Sequence, residues 1–199
     1  EGQKEVKKVS IRTKKNQITK IKTSMLCLSG GFNPDIHLFT QSKGLLSWDK
    51  DLLTFKPDRI FQNTITLGSV SGNFSYEKLL VEVEKKLSEF EGLNELEVKF
   101  ELNGPEKFQI KELWETKHEK KSLWSKSFID LQNDVTTKDL RQAVNEGFNR
   151  IEHLKRFTTN SMGTDQGKIS SINALGIVSK ILKKDISEVG TTTYRPVSY

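Results

Sequence analysis

The chain has 199 residues, of which 34% are hydrophobic and 29% charged, and its formal net charge is +6. This composition is ordinary for a globular protein of one medium or two small domains, and it allows a buried core. It leaves no candidate for a membrane-spanning helix, since no apolar run approaches about 18 residues. With Cys27 as the single cysteine, it also excludes disulfide frameworks and cysteine-held metal clusters within the chain.

The positive charge does not by itself indicate nucleic-acid binding. Acidic residues are interleaved with the basic ones, as in 81–86 and 112–121, so no basic stripe forms. The first residues, Glu1 to Glu5, form neither a signal peptide nor a transit peptide. We therefore expect a cytoplasmic protein that binds neither nucleic acid nor membrane.

The first predicted elements are two extended segments, 6–11 and 18–28, joined by a turn near 14–17. They predict a hairpin that leads into a buried strand. Cys27, in the apolar stretch at its end, is expected to be a buried small hydrophobic residue. Because domains rarely begin at such a hairpin, we expect the chain to be a fragment of a longer one.

A glycine pair, Gly30 and Gly31, ends this strand. Such a pair lets the backbone turn sharply beside a nucleotide, and ordinary turn chemistry is the open alternative. Residues 35–39 are predicted to form a short helical turn, and 45–49 with 52–55 a small hairpin.

The segment 64–67 predicts a strand that leads through a loop containing Gly68 and Gly72 into a helix. The helix is indicated by apolar residues at helical spacing: Tyr76, Leu79, Leu80, Val83, Leu87 and Phe90. Strand, glycine loop and helix in this order aim a helix N-terminus at a bound cofactor. The chain has no Gly-x-Gly-x-x-Gly motif, so this piece alone cannot complete a dinucleotide site.

Residues 91–124 have the composition of a connector. An alternating segment, 96–102, predicts one half-exposed strand, and a charged stretch follows it. His118 in that stretch is expected to be solvated and not a metal ligand. We assign no chemistry to this region.

The last third is predicted to be helical. Thr136 or Thr137 is expected to cap a helix that reaches Phe148, with Gly147 as a kink or as the handover to the next helix. Two further helices carry the apolar stripes Ile151, Leu154 and Phe157, and Ile172, Leu175, Val178, Ile181 and Leu182. Asp134 is expected in a turn or cap. His153 is expected to be packed or hydrogen-bonded.

The loop between these two helices, 155–168, is small, hydroxyl-rich and basic. A helix beginning near Gln166 would present free N–H groups and the positive end of its dipole, both of which favour phosphate. Two glycines allow close backbone approach, and three basic residues can supply charge. The pattern indicates an anion cradle. The open alternative is a plain helix connection capped by Thr164 or Asp165.

Five stretches stand out together: SGGFNPDIHLFTQSKG at 29–44, FIDLQNDVT at 128–136, EGF at 146–148, EHLKRFTT at 152–159 and MGTDQGK at 162–168. In this order they resemble the alpha subunit of heterotetrameric sarcosine oxidase. The likeness covers most of the chain and is weakest from 91 to 120.

The resemblance implies an α/β fold, the C-terminal part of a Rossmann-like FAD/NAD-binding domain followed by a small all-α module. The implied boundaries are 1–92 for the end of the dinucleotide-binding domain, 93–124 for the connector, 125–187 for the helical flavin-contacting module and 188–199 for a linker to a folate-binding domain.

The resemblance also implies cofactors. FMN would lie between the alpha and beta subunits with its phosphate in the loop, and NAD would bind in alpha. FAD and tetrahydrofolate would bind elsewhere in the complex. The implied cofactor-binding residues are Arg156, Thr158, Thr159, Met162, Gly163, Thr164, Gln166, Gly167 and Lys168, with Gly30, Gly31, Gly68 and Gly72 at the dinucleotide site. No catalytic residue and no metal ligand is predicted.

The implied activity is oxidative demethylation of sarcosine, with electrons passing through FMN to oxygen. The implied partners are the beta subunit, the other subunits of a hetero-oligomer and a small-molecule amine substrate. Two alternatives remain. One is a subunit of a related amine, opine or proline dehydrogenase, and the other is a non-enzymatic module whose basic loop binds an acidic partner.

Overall fold

The computed structural model describes residues 4–13, 15–27, 31–89, 110–115 and 127–191. The chain divides into two compact units, residues 1–32 and 33–199. The strands are β1 (Lys8–Arg12), β2 (Ile18–Lys22), β3 (Leu45–Asp49), β4 (Thr54–Arg59), β5 (Phe128–Asp130) and β6 (Val135–Thr136). The helices are α1 (His37–Gln41), α2 (Tyr76–Leu87), α3 (Thr137–Asn145), α4 (Ile151–Thr158), α5 (Ser171–Leu182) and α6 (Ile186–Val189).

The first unit contains the predicted hairpin. β1 and β2 pair antiparallel, with Val9 opposite Ile21. Asn16 takes a left-handed conformation in the connecting turn, with φ of 59°, which asparagine adopts more readily than most residues. The hairpin prediction is confirmed.

The buried strand predicted to follow the hairpin is wrong over residues 23–27. β2 ends at Lys22, and the Thr23 hydroxyl, which donates to the Met25 carbonyl at 2.8 Å, bends the chain there. Met25 is 73% exposed and Cys27 is exposed. A two-stranded ribbon cannot bury its faces without a second layer, so the prediction of a buried Cys27 is wrong as well.

The second unit begins with α1, the predicted helical turn, and the predicted hairpin β3–β4. Asp49 holds the hairpin turn, because its Oδ1 accepts hydrogen bonds from the N–H groups of Asp51 and Leu52. Trp48 meets Phe55 edge-on with ring centroids 5.0 Å apart. The hairpin thereby adds aromatic side chains to the core.

The strand predicted at 64–67 does not form. No described residue pairs with this segment, which leads into a 3-10 helix at Gly68–Ser71. A strand needs a partner for its backbone polar groups, and local apolar alternation does not supply one. The helix predicted beyond the glycine loop is confirmed as α2, although none of its residues is fully buried. Phe90 lies outside the described residues.

The helical module forms as predicted. α3 begins with a capping box, in which the Asp139 carboxylate accepts hydrogen bonds from the N–H and the hydroxyl of Thr136. Gly147, with φ of 96°, ends the α3 turn, and a new helix begins at Ile151. The centre of the core is formed by residues with no exposed surface: Leu140, Ala143, Leu154, Ala174, Leu175 and Val178.

Three residues of this module, Phe157, His153 and Asp134, can be compared with their predicted surroundings. Phe157 is 45% exposed and stacks on Phe148, with ring centroids 4.6 Å apart. His153, predicted to be packed or hydrogen-bonded, is exposed and not packed, because helical spacing turns it away from the buried face of α4. Asp134 lies in the β5–β6 turn with φ of 53°, as predicted.

Residues 110–115 cross the helical module as a short strap. Trp114 packs over Gly176 of α5, so closely that a Cβ at Gly176 would collide with the indole ring. The Trp114 ring also lies 6.4 Å from Trp48, centroid to centroid. The strap therefore joins α5 to the β3–β4 hairpin.

The fold class is mixed α/β with a small helical module, as predicted. The sheets of the described ranges are antiparallel pairs. Most of the predicted connector, including the strand at 96–102 and His118, lies outside the described residues, and the predicted domain boundaries stay predictions. Among the helices that the structure describes, none is long and apolar enough to cross a membrane.

Candidate functional site

The loop predicted as an anion cradle joins α4 to α5. Thr159 ends α4 in the left-handed conformation, with φ of 61°. α5 begins at Ser171 and not near Gln166 as expected. The reason is that Gln166 and Gly167 have φ values of 49° and 79°, which an α-helix does not accommodate.

Asp130, at the end of β5, fastens this loop from across the module. One carboxylate oxygen accepts hydrogen bonds from the N–H groups of Gln132 and Asn133 at 2.9 and 3.0 Å. The other oxygen accepts one from the N–H of Ser161 at 2.8 Å. Asp130 is only 3% exposed, so this carboxyl group belongs to the interior of the site.

Gln132 and Asn133, in the same turn, make further contacts with the loop. Gln132 Oε1 accepts a hydrogen bond from the Thr164 hydroxyl at 3.2 Å, and Gly163 packs so closely on the Gln132 side chain that a Cβ would collide with it. Asn133 Nδ2 donates to the Thr159 carbonyl at 3.0 Å. The stretches 128–136 and 159–168 therefore form one structural unit.

Asp165 occupies the position where the sequence predicts a bound anion. Its two carboxylate oxygens accept hydrogen bonds from the N–H of Gly167 at 3.1 Å and of Ile169 at 3.2 Å. These N–H groups precede α5 and would otherwise bind a phosphate. The alternative reading, a connection held by the Asp165 side chain, therefore describes this end of the loop.

The inner side of the loop is a buried hydroxyl cluster. Ser161 Oγ accepts hydrogen bonds from Asn160 Nδ2 and Ser171 Oγ and also bonds Ser170 Oγ, each at 2.9 Å. Gly167 lies against the Ser161 and Ser171 side chains with no room for a Cβ. Asn160 Oδ1 is buried without a hydrogen-bond partner among the described residues.

The outer edge of the loop keeps polar groups available. In the described part of the chain, the N–H groups of Gly163 and Thr164 make no hydrogen bond. Arg156 is exposed and forms no ion pair with a described residue. Met162, between them in sequence, is 52% exposed.

The other predicted hydroxyl and amide donors are already engaged. The Thr158 hydroxyl donates to the Leu154 carbonyl at 2.9 Å, and the Thr159 hydroxyl to the Thr158 carbonyl at 2.6 Å. Gln166 Nε2 donates to the Gly163 carbonyl at 3.0 Å. These side chains shape the loop, and an anion would have to displace their present bonds.

Lys168 interacts electrostatically with Asp35, which lies in the segment 33–44 of the same unit. The Asp35 side chain is hydrogen-bonded by Nδ1 of His37, which is 9% exposed. The pKa of Asp35 is held below its ordinary value, first by that hydrogen bond and further by the positive charge of Lys168. The loop and the segment around Asp35 are therefore electrostatic neighbours.

Gly68 and Gly72, the residues predicted to contact a dinucleotide, both have close neighbours in the structure. Glu82 Oε2 accepts hydrogen bonds from the Gly68 N–H at 3.0 Å and from Asn73 Nδ2 at 2.8 Å. A Cβ at Gly72, where φ is 84°, would meet the side chain of Leu52. A carboxylate at this turn would compete with a pyrophosphate for the Gly68 N–H, and the dinucleotide contacts at Gly68 and Gly72 stay a prediction.

Of the other predicted glycine pair, Gly30 lies outside the described residues. Gly31 has φ of 99°, and a Cβ there would meet nothing within 4 Å. The backbone conformation alone therefore accounts for glycine at this position.

A separate cleft of about 330 Å³ lies between the strap and helices α3 and α5. Lys180 pairs with Glu112 at 2.9 Å, and Arg141 with Glu115 at 2.7 Å. Hydrogen bonds, first from Lys180 and then from Trp114, lower the pKa of Glu112. Since these charges already have partners, we assign no ligand to the cleft. Within the ranges that the structure describes, no group of three or more His, Cys, Asp or Glu could hold a metal ion.

Residues 124–199 match the family model described as the sarcosine oxidase A3 domain. Over a longer stretch the chain is similar to sarcosine oxidase alpha subunits, which confirms the resemblance found in the sequence. It is 34% identical over 183 residues to sarcosine oxidase subunit alpha of Rhizobium meliloti (strain 1021), covering 88% of this chain and 18% of that protein.

A second relative is sarcosine oxidase subunit alpha of Corynebacterium sp. (strain U-96). It is 29% identical over 191 residues, covering 90% of this chain and 20% of that protein. The chain thus spans about a fifth of the length of the curated relatives it matches.

A solved structure has the same fold. The crystal structure of L-proline dehydrogenase from P. horikoshii superimposes with a TM-score of 0.61 at 22% identity, covering all of this chain and 42% of that one. At this identity the likeness concerns the fold alone.

Several residues that organise the loop were not among the predicted site residues, namely Asp130, Gln132, Asn133 and Asp165. The sequence carried a signal for the first three, because the stretch 128–136 stood out together with the loop. It carried none for their contacts, since a spacing of 31 residues between Asp130 and Ser161 has no local periodicity.

Proposed function

We propose that this chain is a segment of an alpha subunit of the sarcosine oxidase type, and that its loop 159–168 holds the phosphate of FMN where alpha meets another subunit. The proposal is supported by the relatives, which are named as sarcosine oxidase subunit alpha. The single observation that carries the loop assignment is its outer edge, where two backbone N–H groups and Arg156 have no partner among the described residues.

The loop fits a phosphate at that outer edge and not at the start of α5. Gly163 and Thr164 can donate two N–H groups, and Arg156 can add a charge-assisted hydrogen bond. Asp165 occupies the amides before α5 and would repel an anion there. Lys168 contributes long-range positive charge while it interacts with Asp35.

Exposed apolar side chains lie next in sequence to the residues that form this edge and its anchors. Leu131 is 74% exposed, Met162 52% and Ile169 69%. Exposed apolar groups beside polar donors are typical of a surface that another subunit or a flat ring system covers. We propose that the beta subunit of a hetero-oligomer covers this surface.

When bound, FMN supplies the transfer of electrons taken from an amine such as sarcosine to oxygen. This chain's residues bind and orient the phosphate, and none of its described side chains contributes a proton-transfer step. The NAD contacts expected at Gly68 and Gly72 are not part of the proposal, because Glu82 occupies that turn.

The test is loss of FMN from the assembled complex. The double variant Arg156→Ala/Lys168→Ala in the full-length alpha subunit is expected to release FMN during gel filtration, measured by flavin absorbance per complex. The charge-matched control is Lys183→Ala/Lys184→Ala, since these exposed lysines follow the far end of α5. Full FMN retention by the first variant would favour a module that binds an acidic partner through its basic loop.

The substrate is a separate question, because we assign no substrate contact to any described residue. Turnover of sarcosine, dimethylglycine and proline by the same complex decides it. We expect sarcosine to be oxidised, and turnover of proline alone would assign the complex to a proline dehydrogenase.

A further inference from the structure

The buried carboxyl group of Asp130 links the β5–β6 turn directly to the backbone of the loop at Ser161, beside the contacts that Gln132 and Asn133 make with the loop. Its Oδ2 receives the Ser161 N–H at 2.8 Å, while Oδ1 receives the two N–H groups of its own turn. Three backbone N–H donors compensate a buried carboxylate for the hydrogen bonds with water that it has lost. Among the described residues Asp130 has no basic partner.

Ser161 is the residue at which the loop is anchored. It has no exposed surface, its φ is 63°, and its hydroxyl joins the buried cluster with Ser170 and Ser171. A non-glycine residue keeps a positive φ only when its surroundings impose that conformation. The hydrogen bond from Ser161 to Asp130 is one of the contacts that imposes it.

The consequence reaches the outer edge of the loop two residues later. Gly163 and Thr164 lie two and three residues after Ser161, so the direction of their N–H groups depends on the conformation at Ser161. Binding groups must be held within about half an ångström of the productive geometry to keep their full effect.

We propose that Asp130 is a positioning residue for phosphate binding: it acts through the Ser161 N–H and does not touch the cofactor itself. This inference rests on the proposed function of the loop. It adds a buried acidic residue to a site that otherwise holds an anion with amides and cations.

The decisive variant is Asp130→Asn. The substituted amide has the same shape but only one acceptor oxygen, so it can serve the turn or the Ser161 N–H but not both. We expect the dissociation constant of FMN for the flavin-depleted complex to rise about tenfold, as for one lost hydrogen bond to a charged group. Asp130→Glu, which keeps both oxygens, is expected to recover part of the affinity.

The matched control is Asp139→Asn. Asp139 also accepts a backbone N–H, from Thr136 at the start of α3, but none of its described contacts involves the loop. We expect it to lower the melting temperature while leaving the FMN dissociation constant within about twofold of the unmodified complex.

The possible outcomes distinguish a failure of this inference from a failure of the proposed FMN-phosphate site. If Asp130→Asn lowers the melting temperature as the control does and leaves FMN binding unchanged, while Arg156→Ala/Lys168→Ala still releases FMN, Asp130 is structural and the inference is overturned. If none of these variants changes FMN binding, both the Asp130 inference and the proposed function of the loop fail. Weakened FMN binding in Asp130→Asn but not in Asp139→Asn supports the inference.

Discussion

The carboxylate of Asp130 and the backbone N–H of Ser161 lie 2.8 Å apart although 31 residues separate them in sequence. This hydrogen bond joins a short β-turn to a helix–loop–helix connection. The stretches 128–136 and 159–168, which resemble the same family, are thus in direct contact.

Gly167→Ala is expected to destabilise the protein by about 3 kcal/mol or more, because it adds backbone strain at positive φ and overpacks the serine cluster. Gly147→Ala is the matched control. Gly147 also has positive φ, at 96°, but a Cβ there meets nothing within 4 Å, so backbone strain alone should cost about 1 kcal/mol. Urea unfolding measures both, and equal losses would contradict the packing around Gly167.

Gly176→Ala is expected to destabilise the protein because the added Cβ displaces the Trp114 ring. In a Trp114→Ala background that collision disappears, and the same change should stabilise α5 by about 1 kcal/mol, the difference in helix propensity. A double-mutant cycle of unfolding free energies tests this change of sign. The strap contact would be refuted by an identical effect of Gly176→Ala in both backgrounds.

The pair Asp35 and His37 predicts a pH dependence. The pKa of Asp35 lies below its ordinary value in the folded protein, mainly because of the hydrogen bond from His37. Its contribution is therefore present above the pKa of the unfolded chain, near 3.9, and is lost as the pH falls through the lower folded pKa. Unfolding free energies measured from pH 2 to 5 should show Asp35→Asn approaching the unmodified protein at the acid end. A constant difference across that range would count against the pair.

Lys56→Ala tests the ion pair that closes the β3–β4 hairpin. Its Nζ lies 2.7 Å from Asp49 Oδ2, and Asp49 also holds the turn through two backbone N–H groups. We expect a loss of only about 0.5 kcal/mol for this partly exposed pair, against about 1–2 kcal/mol for Asp49→Ala, which frees the turn as well. Thermal unfolding compares the two, and a larger loss in Lys56→Ala would reverse the assignment.

Local pattern predicted the elements whose physics is local. The β3–β4 hairpin, α2 and the helices after Thr136 all form, because apolar spacing, capping residues and glycine positions determine them within a few residues. The start of α5 was placed too early, since nothing in the sequence marks Gln166 as adopting a positive φ.

Features that depend on distant partners were not predictable in this way. The strand at 64–67 lacks a pairing strand among the described residues, and Cys27 is exposed. At the site, the basic and glycine residues of the loop could be read directly. The competing carboxylate of Asp165 could not, because the sequence does not mark the positive φ values of Gln166 and Gly167 in the turn where Asp165 accepts hydrogen bonds from the N–H groups of Gly167 and Ile169.

The preference of the flavin-depleted complex for FMN over riboflavin tests the central claim most directly, because the two ligands differ only in the phosphate. The measurement is the ratio of their dissociation constants by flavin fluorescence, in the unmodified complex and in Arg156→Ala/Lys168→Ala. We predict a strong preference for FMN that falls at least tenfold in the variant, the effect of about one lost charge-assisted contact. An unchanged ratio would contradict a phosphate held by this loop.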